Sequence, residues 1–149
     1  MIDTGALTDV LLDSMSSALD AAGFTAPLVG DGVAPSEGGW VAGQPGSGLF
    51  RPYVVLVSGG AAPRWATPAS YTPCWAVAFS LRSYGGSRPQ CDLMATAARG
   101  CADAMGKAEF AGWQVINVEW GSLGATTRVD ASSPAFWQAF DMVTLVCDT

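Results

Sequence analysis

The fold of this chain is decided in residues 74–81, which read CWAVAFSL. Bulky apolar side chains stand at most odd positions of this stretch, and small side chains stand at the even positions. Successive side chains of a β-strand point to opposite faces, so this period of two predicts a strand with one bulky face and one thin face. The bulky face suits a core, and Gly85 and Gly86 predict that the strand ends near Tyr84.

A helix is predicted to follow, from Arg88 to Met105. Ser87 and Gln90 have the spacing of a capping box, and Pro89 falls in the first turn, where its missing N–H does no harm. The predicted buried side is rich in alanine and cysteine and comprises Cys91, Met94 or Ala95, Ala98, Cys101 or Ala102, and Met105. The predicted exposed side comprises Asp92, Thr96, Arg99 and Asp103.

Another helix is predicted over residues 4–22. Its apolar face recurs at helical spacing and comprises Leu7, Leu11, Met15, Ala18 and Ala22. Thr4 is the expected N-cap, and Gly23 is the expected left-handed stop. The opposite face carries an acidic stripe, which comprises Asp9, Asp13 and Asp20. This stripe is either an ordinary solvated helix face or an acidic lining of a channel.

The rest of the chain alternates loops with strands. Residues 25–52 are dense in glycine and proline and predict an extended arm or loop, with a short edge strand at 39–43. Residues 61–73 predict a second loop, and residues 122–134 predict a long polar hairpin. The remaining strands are predicted at 53–58, 113–121 and 138–147.

These elements predict a single α+β domain over residues 1–149. Tight links and alternating strands favour a four-stranded antiparallel sheet with two helices packed on one face and long Gly/Pro-rich loops. The other face of the sheet would then need a partner, which indicates assembly. Trp40 and Phe50, which lie in the first loop, also need a surface to bury against, on this domain or on a neighbouring subunit.

Charge is sparse and uneven along the chain. Charged residues make up 13% of the sequence, against about 25% in an average soluble domain. Residues 1–37 hold six acidic residues and no basic residue, and the net charge is -6. A nucleic-acid-binding face needs clustered lysine and arginine, so the composition argues against one. The apolar runs are also far shorter than the roughly 20 residues that a membrane-spanning helix needs.

No catalytic, cofactor or metal site is predicted. The chain contains no histidine to serve as a base or to complete a zinc site, and its cysteines lack Cys-x-x-Cys spacing. The segment GQPGSG at residues 43–48 lacks the Gly-Lys-Ser/Thr ending of a phosphate-binding loop. We interpret the four cysteines as buried reduced thiols, with a disulfide as the alternative; they are Cys74, Cys91, Cys101 and Cys147.

A series of short motifs runs in order through most of the chain. It comprises RPYVVL at 51–56, WAVAFS at 75–80, GGSR at 85–88, QCDLMA at 90–95, GWQV at 112–115, RVD at 128–130, PAFW at 134–137 and FDMVTL at 140–145. This ordered set resembles the tail terminator proteins of long, non-contractile-tailed bacteriophages. The family pattern often has a basic residue after the aspartate of the last strand, where this chain has Met142.

The resemblance implies a structural virion protein rather than an enzyme. Its expected form is a homo-oligomer, a hexameric ring that caps the tail tube, ends tube polymerisation and joins the tail to the head-completion (stopper) protein. The expected partners are therefore other copies of the chain, the major tail tube protein and the head-completion protein. DNA would pass through the ring without specific binding. The expected location is the virion, at the head–tail interface, after assembly in the host cytoplasm.

The residues themselves suggest where such contacts lie. A long, partly apolar loop and a charged hairpin are not explained by helix and strand packing, and they supply the expected subunit or partner contacts: Trp40, Phe50, Arg128, Asp130 and Trp137. The expected channel-lining acids are Asp9, Asp13 and Asp20.

Two alternatives stand beside this interpretation. One is another neck or tail-tube component of a phage virion. The other, from a different class, is a small-molecule-binding α+β module that uses the tryptophan-rich loops. Sedimentation separates them, because a ring subunit is expected to self-associate whereas a ligand-binding module stays a small species.

Overall fold

The computed structural model describes residues 1–24, 28–41, 49–65, 73–130 and 135–149. Its elements, in chain order, are α1 (Thr4–Ala21), β1 (Val29–Asp31), β2 (Gly39–Trp40), β3 (Phe50–Arg51), β4 (Tyr53–Arg64), β5 (Cys74–Gly85), α2 (Arg88–Asp103), β6 (Glu109–Phe110), β7 (Trp113–Leu123), β8 (Thr127–Val129) and β9 (Phe136–Asp148).

Helix α1 begins one residue earlier than the expected cap implies. Asp3 has the extended backbone that an N-cap needs, and its carboxylate accepts a hydrogen bond from the Ala6 N–H at 2.9 Å. The prediction of Thr4 as the cap is therefore wrong, because Thr4 is already helical. After the helix ends, Gly23 has φ +91°, as expected of a left-handed stop.

Helix α2 begins as its capping residues predict. The Ser87 hydroxyl accepts a hydrogen bond from the Gln90 N–H at 3.3 Å, and Pro89 lies in the first turn. The Gln90 side chain reaches back and accepts from the Gly86 N–H at 2.8 Å. These bonds satisfy backbone groups that a helix start leaves without partners.

A seven-stranded sheet forms the body of the molecule. Six of its strands follow the order β1-β4-β5-β9-β7-β6, and β8 pairs with β9 beside the end of β7. β1 runs parallel to β4, and the other pairs in this sheet are antiparallel. β2 and β3 form a separate two-stranded antiparallel sheet. Central strands β5 and β9 are paired from Trp75 opposite Cys147 to Gly85 opposite Trp137.

The predicted four-stranded antiparallel sheet is wrong. All four predicted strands exist, but each is longer than predicted, and β1, β6 and β8 enlarge the sheet to seven strands of mixed direction. The added strands have two or three residues each, which is too short for a period of two to be recognised. β1 pairs with residues 54–56, which lie further along the chain, whereas β6 and β8 pair with the strands that directly follow them.

The loop predicted at 61–73 is also wrong in its first part, since β4 continues to Arg64. Gly60, with φ +97°, takes up a bulge where the pairing with β5 shifts, so the glycines bend the strand without ending it. Among the described residues, β1 pairs only with residues 54–56 and no strand pairs on that side of β4 at Pro63, so the proline lies at an edge, where its missing N–H is tolerated. Residues 66–72 of the predicted loop lie outside the described residues.

The core lies between the two helices and one face of the sheet. On β5 the odd positions Val77, Phe79 and Leu81 are fully buried, so the bulky face predicted from CWAVAFSL is the core face. The helices contribute side chains at helical spacing, among them Leu7, Leu11 and Met15 of α1 and Met94, Ala98 and Ala102 of α2. On α1, Leu19 replaces the predicted Ala22, which is exposed.

Candidate interaction surface

The sheet has a second face, here called the outer face and defined by the even-numbered positions of β5 and β9. Near the middle of this face, Phe140 and Met142 are each 43% exposed. A solvated face of an antiparallel sheet normally carries polar side chains, so two large apolar side chains on a central strand are unusual. This part of the outer face is therefore the candidate contact surface.

A row of aromatic rings crosses the strands at one end of the outer face. Trp40 and Phe50 meet edge to face with ring centroids 5.2 Å apart, and Phe50 stacks on Tyr53 at 6.3 Å. Tyr53 stacks on Tyr84, its direct cross-strand neighbour, at 4.6 Å, and Tyr84 reaches Phe140 at 6.2 Å. Burial raises the pKa of both tyrosine hydroxyls, which keeps them neutral. The row thus makes this end of the sheet a rigid, mostly apolar platform.

Arg82 is a charged residue of the outer face and lies on central strand β5. Its guanidinium carbon lies 5.3 Å from the centroid of the Phe140 ring, within the range of a cation–π contact. The side chain is exposed and forms no ion pair among the described residues, which include every charged residue of the chain. An exposed cation therefore lies directly over an exposed aromatic ring.

On the core face, an ion pair with a buried carboxylate joins α2 to β9. The Asp141 carboxylate is completely buried and accepts two hydrogen bonds of 2.8 Å from Arg99, one from Nε and one from Nη2. The hydrogen bonds with Asp141 raise the pKa of Arg99. Arg99, which was predicted to face water, is partly buried, with 30% of its side chain exposed, because its guanidinium turns toward the carboxylate.

The same carboxylate organises the connection between β7 and β8. Asp141 accepts a third hydrogen bond from the Gly124 N–H at 2.8 Å, and Arg99 donates to the Gly124 carbonyl at 3.0 Å. A Cβ at Gly124 would lie 2.1 Å from the Phe140 carbonyl oxygen, so only glycine fits there. These contacts fix the connection between β7 and β8 at Gly124, within the long polar hairpin predicted at 122–134, and we call this connection the β7–β8 joint. After the joint, β8 pairs with β9.

The sequence carries a signal for the role of Asp141 that the periodic patterns described above do not use. Asp141 has the same odd parity as Val143, Leu145 and Cys147, which are buried on the core face of β9. A carboxylate at a position with core parity needs a cation nearby, and Arg99 supplies one. The odd-numbered position of Asp141 on β9 therefore predicts that its carboxylate is buried and that it needs a cationic partner.

A second ion pair spans the outer face. Arg64 Nη1, at the end of β4, donates to both carboxylate oxygens of Glu119 on β7 at 2.8 Å. β5 and β9 lie between these strands, a separation of about 14 Å in a flat sheet. The sheet must therefore curl here, and the thin face of β5, with Ala76 and Ala78, leaves room for the bridge. A groove of about 330 Å³ lies alongside it.

The five predicted contact residues fall into two groups. Trp40 and Phe50 are paired across β2 and β3, and the depression that Trp40 lines holds about 150 Å³. Arg128 pairs with Asp130 at 2.8 Å, and both side chains are more than half exposed. Trp137 lies opposite Arg128 in the β8–β9 ladder and packs against a small cluster beside α2, which comprises Cys91, Ala95 and Ala139.

The three predicted channel acids lie together on the exposed side of α1. Asp9, Asp13 and Asp20 are exposed, and none forms an ion pair among the described residues, which hold every charged side chain. The acidic stripe therefore exists as a surface. Its relation to a channel remains a prediction.

The cysteines are free thiols, and three of them, Cys91, Cys101 and Cys147, are buried. Cys74 is only partly buried, so the prediction of four buried thiols is wrong for this residue. Burial raises the pKa of Cys91 and of Cys147 to about 11. Among the described residues, no group of three or more His, Cys, Asp or Glu side chains could hold a metal ion. Neither of the helices described here combines the length and the apolar character needed to cross a membrane.

Comparison with solved structures finds a similar fold in a chain of a virion particle. The chain is similar to a chain of a structure described as the virion of a native gene transfer agent particle, with a TM-score of 0.54 and 17% sequence identity. The likeness covers 97% of this chain and 97% of that chain. No protein-family model and no curated protein matches the sequence. At this identity the likeness shows the fold alone, and it shows it over nearly the whole length.

Proposed function

We propose that this chain is a structural protein of a phage-like virion and has no enzymatic activity. The observation that carries the proposal is the fold shared over 97% of both chains with a component of a gene transfer agent virion. A match of that extent leaves little room for an additional catalytic domain within the chain. It supports a role in which the whole domain serves as one building block.

The surface of the domain supports the same role. Phe140 and Met142 remain 43% exposed on the outer face, and among the described residues β7 has a partner strand beyond its first two residues only on its β9 side. Exposed apolar side chains and open strand edges favour pairing with another protein chain. These features suit a subunit whose surface is completed by assembly.

Within the virion, the specific role that we propose is tail termination. In this role the chain forms a ring at the end of the tail tube, stops tube growth and joins the tail to the head-completion protein. The ordered sequence motifs described above support this role, and they include Asp141, which organises the joint between β7 and β8. A second candidate, another neck or tail-tube component, shares the support of the fold.

Deletion of the gene in the particle-producing host tests the proposal. Negative-stain electron microscopy should then show tail tubes of uncontrolled length that are separate from heads. A wild-type copy supplied in trans should restore tubes of uniform length, and this provides the matched control.

The alternatives give different images. Loss of a tube component would leave no tubes, and loss of a neck component would leave tubes of normal length without heads. Intact particles in the deletion strain would show that the chain is not a required virion component, and the proposal would then be wrong.

A further inference from the structure

Most basic residues of this chain have an acidic partner within the chain, and the exceptions indicate where a contact with another chain lies. Five of the seven basic residues form ion pairs, and Arg82 and Lys107 do not. Arg82 lies on the outer face over Phe140 and beside the exposed Met142. We call these three residues the Arg82 patch. A surface of this kind fits a partner segment that carries one carboxylate next to one apolar side chain.

The chain itself carries such a segment. Asp31 forms no ion pair among the described residues, and Val33, two positions later, is 70% exposed. Most of the other acids without an ion pair among the described residues have no exposed large apolar side chain within two positions; they are Asp9, Asp13, Asp20, Asp103, Glu109 and Asp148. Asp3 lies near the exposed Met1, but it is already engaged as the cap of α1.

This segment is also held in place for binding. Asp31 ends β1, in parallel register with Leu56 of β4, and the Gly32 N–H donates to the Leu56 carbonyl at 2.8 Å. Gly32 turns the chain with φ +72°. The carboxylate and the valine are therefore presented at the edge of the sheet by a short, anchored turn, which lowers the entropic cost of binding.

We propose that the Arg82 patch binds the Asp31–Val33 segment of a second copy of this chain. Arg82 pairs with the neighbour's Asp31 carboxylate, and the neighbour's Val33 packs against Phe140 and Met142. The patch and the segment are different surfaces, so the contact is head-to-tail, and repetition of such a contact generates a ring when the rotation closes. This inference deepens the proposed function, on which it rests for the expectation of a ring.

A charge-swap series tests the contact in the full-length protein. In sedimentation velocity, the wild-type chain should self-associate with rising concentration. The Arg82→Glu variant should associate about tenfold or more weakly, because two carboxylates then face each other. The double variant Arg82→Glu/Asp31→Arg should restore association, because the ion pair is re-formed with its charges exchanged. Arg82→Gln, which adds no repulsion, should give an intermediate loss.

The matched control is Arg82→Glu/Asp13→Arg, which has the same net charge but places the new arginine on α1. It should associate as weakly as Arg82→Glu alone. Equal rescue by both double variants would mean that Asp31 is not the partner and would overturn the inference. A wild-type chain that stays monomeric at every concentration would also overturn it.

Photo-cross-linking in assembled particles identifies the occupant directly. Benzoylphenylalanine in place of Phe140 should cross-link to the region of Val33 in another copy of the chain, and a cross-link to a different virion protein would sink the idea. The deletion phenotype is independent of this result. Uncontrolled tail length combined with a failed charge swap would retain the function and reject the contact.

Discussion

Asp141 is a charged residue that the fold buries completely. It stands in an otherwise apolar strand, yet its completely buried carboxylate receives hydrogen bonds from Arg99 and from the backbone of Gly124. A buried carboxylate is tolerated only when a cation and hydrogen-bond donors surround it. The three groups therefore act as a unit that holds α2, β9 and the β7–β8 joint together.

Removal of the cation should show the cost of leaving this carboxylate unpaired. We expect Arg99→Ala to lower the free energy of unfolding by about 3–5 kcal/mol, measured by urea denaturation. The matched control is Arg88→Ala, because Arg88 forms only an exposed pair with Asp92 at 3.9 Å. The control should change stability by less than about 0.5 kcal/mol. Similar losses in both variants would contradict the assigned role of the buried pair.

The buried thiols predict a loss of stability at alkaline pH. Burial raises the pKa of Cys91 and Cys147 from 9.0 to about 11, so between these values the unfolded chain releases protons that the folded chain retains. Stability from these groups is full below pH 9 and should fall as pH rises toward 11, by roughly 2 kcal/mol for each thiol. A Cys91→Ala/Cys147→Ala variant should lose less stability over this range. Parallel curves of unfolding free energy against pH would refute the assignment.

At the scale of elements, the joint between β7 and β8 depends on a single glycine. We expect Gly124→Ala to cost at least about 2 kcal/mol, because the new Cβ would collide with the backbone carbonyl of Phe140. Gly100→Ala is the control, since no atom lies within 4 Å of a Cβ at this position of α2. That change should stabilise the protein by about 0.5–1 kcal/mol. Thermal unfolding of both variants measures the difference, and a neutral Gly124→Ala would contradict this account of the joint.

An exposed ion pair lies beside the pairing of β8 with β9 and predicts a role in assembly rather than in folding. Arg128 and Asp130 pair at 2.8 Å with both side chains more than half exposed, so the pair contributes little to folding. We expect Arg128→Ala and Asp130→Ala to leave the melting temperature nearly unchanged but to impair ring assembly and tail joining. Particle yield and electron microscopy measure the effect. If both variants assemble and join tails like wild type, the hairpin is an ordinary solvated one.

The elements were predictable to the extent that each contains enough residues to display its own period. β5 shows this best, because its alternation of bulky and small side chains matches its core face and outer face. β1 was not predictable in this way, since its three residues show no period and it forms by pairing with β4. The extension of β4 beyond Gly60 was not predicted either. A pair of glycines can end a strand or form a bulge within it, and the local sequence does not distinguish the two.

At the scale of the whole molecule, the acidic stripe on α1 carries a prediction about DNA passage. Asp9, Asp13 and Asp20 are exposed on one side of the helix, and a ring of subunits would repeat them into a negative band. Confined charge is screened less than charge in open saline, where the Debye length is about 8 Å. Replacing all three with lysine should slow genome ejection while leaving tails correctly terminated. Ejection kinetics equal to wild type would identify the stripe as an ordinary solvated surface.

The sequence by itself determined the features that depend on neighbouring residues. It predicted the core face of β5, the positions of both helices and the capping of α2, because periodicity and capping operate within a few residues. The predicted burial of the four cysteines is correct for three of them and wrong for Cys74. Tertiary structure decided the number and direction of the strands, the Arg99–Asp141 pair and the curl that brings Arg64 to Glu119. It also placed Arg82 over Phe140 on the outer face. These features require groups from distant parts of the chain to meet, and the local pattern around either partner does not specify such a meeting.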